Sequence, residues 1–126
     1  MIEMLVVGAG GFVGAMLRYW IAGVVQRWSG GVFPHGTLVV NVLGCLLMGI
    51  VMGLVEYRQL FGPHARLVLT VGILGGFTTF STFGYETFAL LRDNEYVPAL
   101  ANVVLNVVAC TAAVALGWIA AKAMAL

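Results

Sequence analysis

Between residues 75 and 83 the chain reads Gly75-Gly76-Phe77-Thr78-Thr79-Phe80-Ser81-Thr82-Phe83, its densest collection of groups able to handle an ion. Paired glycines lower helix propensity by about 1 kcal/mol each. The threonines and serine that follow can bond to backbone in place of the helical ladder. The expected result is a helix broken over Gly75–Thr79, whose freed carbonyls and helix ends can hold ions. Phe77, Phe80 and Phe83 recur every three residues, which predicts a single helical face. An aromatic ring has a negative face and a positive edge. Ring edges turned into a narrow path can attract a small anion without holding it too tightly to leave.

Three amides, Asn41, Asn102 and Asn106, lie inside otherwise apolar runs, the last two spaced i, i+4 on one face. Such amides serve either as hydrogen-bonded glue between helices or as N–H donors to an anion. Arg18 can anchor at an interface, cap helix carbonyls or draw anions in, and its place near a run end favours anchoring. Cys45 and Cys110 both fall in mid-run, where no disulfide framework is expected; Cys45 reads as a small buried residue. The acidic residues Glu3, Glu56 and Glu86 are all near run ends. A proton-coupled exporter of cations needs a carboxylate deep in the membrane, so that class is disfavoured. With no metal-ligand cluster, nucleotide loop or catalytic triad, an enzyme is not expected.

The elements that must position these groups follow from composition. Of 126 residues, 62% are hydrophobic and only 9% charged, with a mean hydropathy of +1.05. A soluble domain keeps about a quarter of its residues charged, so lipid is the solvent for much of this surface. Charges bound four apolar runs, and a span needs about 20 mostly apolar residues. The predicted fold is all-α: one four-helix transmembrane domain over residues 1–126, with spans at roughly 4–25, 37–56, 66–91 and 97–122 and the third helix broken. The first span has no basic n-region and no gathered cleavage site, so it reads as a mature helix rather than a signal. Pro34, Pro63 and Pro98 mark helix starts. Trp20, Trp28, Tyr57, Tyr85, Tyr96 and Trp118 mark an interfacial belt. A net charge of +1 gives no sign of a nucleic-acid partner.

Gly10 and Gly14, Gly49 and Gly53, and Gly72 and Gly76 are each four apart, the spacing of close helix packing in lipid. Orientation is less ordinary. One side of a four-span chain carries Arg58, Arg66 and Lys122; the other carries Arg27 and Arg92, with Arg18 just inside. So small a bias does not fix topology. The expectation is insertion both ways round, with opposite copies pairing antiparallel about an axis in the membrane plane. The alternative is one orientation fixed by a small partner.

Three segments together resemble the Fluc (CrcB) family of bacterial fluoride channels. They are Gly10-Gly11-Phe12-Val13-Gly14-Ala15-Met16-Leu17-Arg18-Tyr19, Gly36-Thr37-Leu38-Val39-Val40-Asn41, and residues 75–83 quoted above. The resemblance covers the whole chain. It implies an antiparallel, dual-topology homodimer in the bacterial cell membrane with two fluoride pores, exporting cytoplasmic fluoride passively and so conferring resistance. It implies that Phe80 and Phe83 present ring edges to the pore, and that Asn41 lines it. The carbonyls of Gly75 and Thr78 from both subunits would hold a structural Na+, with no organic cofactor. Arg18 matches the family's first-helix arginine and Glu86 a vestibule carboxylate, while Ser81 and Thr82 fall on a polar track. The fourth span departs from the family: Asn106, Cys110 and Val114 stand where relatives carry His or Ser and then hydroxyl residues. Asn106 can still donate, Cys110 only weakly, and Val114 not at all.

Overall fold

The computed structural model describes residues 1–125, and among these every regular element is helical. Helix α1 spans Ile2–Ser29 and α2 spans His35–Arg58. The third crossing, Pro63–Arg92, is assembled from pieces. They are α3 (Pro63–Leu67), a π-helical stretch (Val68–Leu74), α4 (Gly75–Phe77) and α5 (Phe80–Arg92). Helix α6, Tyr96–Ala125, completes the fold. Four of these crossings are long and apolar enough to span a membrane.

Glycine decides how closely the helices approach. A Cβ on Gly10 would lie 2.9 Å from the Val68 carbonyl oxygen, and one on Gly76 would lie 2.8 Å from that of Gly11. So α1 lies directly on the π-helical stretch and α4. On the other side, Gly49 lies against the Val114 carbonyl and Gly117 against that of Leu46, which brings α2 and α6 backbone to backbone. In lipid such contact replaces the missing hydrophobic drive between helices. Large apolar side chains consequently point outward, with Phe12, Val107 and Leu116 all exposed to what would be lipid.

For the third crossing, the expected break over Gly75–Thr79 is narrowed and the expected phenylalanine face is corrected. The break does not start at the paired glycines: Gly75 keeps right-handed helical angles (φ −64°, ψ −37°). It falls at Thr78 (φ −82°, ψ 159°) and Thr79 (φ −150°, ψ 118°), both extended. Glycine at 76 is required by the approach to Gly11, not by loss of helix. The phenylalanines do not share a face either, because the break separates Phe77 from the other two. Phe77 is buried at 5% exposure and packs near Gly44, whereas Phe80 is 82% exposed.

Candidate functional site

Breaking a helix in mid-membrane orphans backbone groups that water cannot reach. Here they are satisfied from neighbouring helices. The Asn41 Oδ1 accepts the Thr79 N–H at 2.8 Å, while its Nδ2 donates to the Thr79 carbonyl at 3.1 Å. Thr79 in turn caps α5: its hydroxyl accepts from the Thr82 N–H at 3.3 Å and donates to the Thr82 hydroxyl at 2.9 Å. This is the ordinary remedy for open N–H groups at a helix start. On the opposite flank, Arg18 Nε donates to the Gly76 carbonyl at 3.1 Å. Of the roles open to Arg18, the structure therefore assigns carbonyl capping rather than an interfacial anchor. The reason is electrostatic, since α4 ends at Phe77 and leaves its carbonyls bare and partly negative.

From Asn41 a line of hydrogen bonds continues through α6 and back to α5. Asn41 Nδ2 donates to Asn106 Oδ1 at 3.0 Å, and Asn106 Nδ2 donates to Asn102 Oδ1 at 2.9 Å. Asn102 Nδ2 donates to the Thr87 hydroxyl at 2.9 Å, which donates to the Phe83 carbonyl at 2.8 Å. The direction is set at the ends, because the Thr79 N–H can only donate and the Phe83 carbonyl can only accept. The loop thus begins at the cap of α5 and closes one turn further along the same helix. It clamps the turn that carries Phe80 and Phe83, whose ring centroids are 5.3 Å apart and tilted by 55°. Asn102 is fully buried.

A groove of about 370 Å³ opens beside this clamp, lined by Asn41, Cys45, Thr78, Thr79, Phe80, Phe83, Asn106, Val107, Cys110 and Thr111. Asn41, Phe80, Phe83, Asn106 and Cys110 are therefore gathered in one place, by three different crossings that together form one wall. Glu86 stands apart. It lines a second cavity of about 450 Å³ with Gln26, Thr37, Asp93 and Glu95. Its Oε1 accepts from the Thr37 hydroxyl at 2.8 Å, and its Oε2 is buried with no partner. At the rim of that cavity Arg92 Nε donates to Asp93 at 2.9 Å, which holds the Asp93 carboxyl below the usual carboxylate range. Ser81 and Thr82 line neither cavity; Ser81 is exposed and Thr82 belongs to the cap. Val114 belongs to a third, apolar groove of about 670 Å³ that shares Cys45, Cys110 and Thr111 with the first.

Thr37, which lines the second cavity and bonds Glu86, was not singled out by residue type; Asn102 was, and the structure places it behind the groove as the link between Asn106 and Thr87. A signal was present: Thr37, Asn41 and Cys45 repeat every four residues on α2, as do Asn102, Asn106 and Cys110 on α6. Near the break, among the described residues, no hydrogen bond is made to the carbonyl of Gly75 or Thr78. Gly75 is exposed. A helix end with bare carbonyls suits a hard cation, and oxygen is the donor type such an ion takes.

The sequence model of the family described as CrcB-like protein, Camphor Resistance (CrcB), matches residues 5–118. Among curated relatives, the fluoride-specific ion channel FluC 1 of Methanosarcina acetivorans is 47% identical, covering 99% of this chain and 95% of its own length. The fluoride-specific ion channel FluC of Geobacter sulfurreducens is 45% identical, covering 97% of this chain and 98% of its own. FluC 3 of Methanosarcina barkeri is 48% identical, covering 93% of this chain and 88% of its own. With the match reaching from the first helix through most of the last, the chain belongs to the CrcB family.

Proposed function

We propose that this protein is a fluoride channel, a multi-pass membrane protein and not an enzyme, that lets fluoride leave the cell passively. The observation that carries this reading is the groove at the broken helix. There, a ring pair and hydrogen-bonding groups stand together in mid-span with no ionisable carboxylate or amine among the lining residues. Relatives named as fluoride-specific channels cover nearly the whole chain. Fluoride is small and strongly hydrated, so a path for it must replace water with donors and positive ring edges. The negative-inside potential drives the anion outward, and no coupling ion is needed.

The working unit in this reading is an antiparallel pair of chains. Phe80 is 82% exposed and the groove lies open along one side, so a single chain forms only one wall of a path. An isologous contact between opposite copies supplies the other wall, twice over. The same contact brings two Gly75 and two Thr78 carbonyls together. These residues would hold a Na+, which when bound neutralises the crowded carbonyl dipoles at the contact.

Reconstitution in liposomes with a fluoride electrode tests the proposal. Fluoride-selective efflux is expected, and Phe80→Ile should reduce it sharply. Liposomes as tight as protein-free ones would refute the channel; wild-type flux in Phe80→Ile would refute the ring-edge path.

A further inference from the structure

The α2–α6 seam holds a pair of side chains that the clamp does not use. Two contacts fix the register of these parallel helices. Asn41 donates to Asn106 at 3.0 Å, and Gly49 meets the Val114 carbonyl with no room for a Cβ. One turn beyond the first pair and one turn before the second come Cys45 on α2 and Cys110 on α6. The same register therefore sets their thiols opposite each other. Both are free and partly exposed. Both also line the 370 Å³ groove and the adjoining 670 Å³ groove, so the pair stands where the two join. No carboxylate, imidazole or ammonium group lines either groove to compete for a ligand.

We infer that Cys45 and Cys110 form a two-thiol site for a soft, thiophilic cation of the Hg2+, Ag+ or Cu+ class. Soft cations choose thiolate sulfur over the amide and hydroxyl oxygens nearby. Binding Hg2+ breaks two S–H bonds, forms two S–Hg bonds and releases two protons to water, with nothing oxidised or reduced. Because the second sulfur is already in place, the pair retains the ion against monothiols that strip it from a single cysteine. An ion bridging the seam also stands in the groove that Asn41, Phe80 and Phe83 line, and places a fixed charge there. That it then stops fluoride rests on the proposed function; that it binds does not.

The test loads purified protein in detergent with HgCl2, washes it with excess 2-mercaptoethanol, and counts bound mercury and remaining thiols. One mercury per chain with both thiols blocked is expected. Cys45→Ser, Cys45→Ala and Cys110→Ser, each checked for a monodisperse elution profile, should retain mercury about a hundredfold less well. Two mercury ions per chain, or retention indifferent to losing either cysteine, would overturn the site. In liposomes, loading should lower fluoride efflux to background, and dithiothreitol should restore it. One mercury per chain with unchanged efflux would support the site and overturn its place on the path. Absence of efflux before loading would count against the channel alone, since the mercury count reads the site independently.

Discussion

The Asn41 side chain pairs with both backbone groups of Thr79, accepting its N–H at 2.8 Å and donating to its carbonyl at 3.1 Å. One amide thus does for the broken helix what the next turn of helix would have done. The remaining Nδ2 hydrogen goes to Asn106, so both of its hydrogens are engaged within the chain. Asn41 is the hinge pin of the break as much as a lining group of the groove.

Replacing it should therefore damage both stability and transport. Asn41→Leu leaves the Thr79 N–H and carbonyl buried without partners, at about 1–3 kcal/mol each. Thermal unfolding in detergent should move clearly downward, and fluoride efflux should be lost. A variant as stable as the parent would mean that water or Thr78 takes over the pairing.

Asn102 does not line the groove, yet it transmits the clamp between Asn106 and Thr87. Asn102→Ala should cost about 1–3 kcal/mol, the penalty for unsatisfied buried polar groups. It should also slow efflux, although the residue touches no permeating ion. In a double-mutant cycle, Asn102→Ala and Thr87→Val should be non-additive, because they share one hydrogen bond. Additive effects on stability would show that the chain of bonds does not act as a unit.

Glycines that look alike in sequence should differ sharply on substitution. Gly49→Ala forces its new methyl into the Val114 carbonyl, and the α2–α6 seam must open; nothing lies within 4 Å of a Cβ at Gly8. Overpacking of this kind costs about 1–3 kcal/mol. Gly8→Ala should be neutral or slightly stabilising through helix propensity. Thermal unfolding of the two purified variants separates them, and equal effects would contradict the packing described.

Dual insertion has its own check. In a background with Cys45→Ser and Cys110→Ser, Asp93→Cys places one thiol in the connector between α5 and α6. A membrane-impermeant maleimide should label it from both sides of sealed cells. Labelling from outside or inside only would favour a single orientation, and the antiparallel pair would then fail.

Four crossings, a broken third span and the identity of the groups around it were legible in the residues, because apolar run length and glycine–hydroxyl composition are local properties. Segment order and motif content also sufficed to suggest the family. What local chemistry could not place was the point, within Gly75–Thr79, at which the helix breaks. Glycine propensity pointed to Gly75–Gly76, but the helix persists there because α1 packs against it, and it ends where Asn41, far away in sequence, offers an alternative partner to Thr79. The anchoring role that its place near a run end favoured for Arg18 gave way to carbonyl capping once α4 ended with a bare carbonyl beside it. Asn102, Asn106 and Thr87 became a directed chain only when α2, α5 and α6 met. Run lengths and residue types are fixed along the chain, whereas hydrogen-bond partners at membrane depth are fixed by which helices adjoin, since no water is there to substitute.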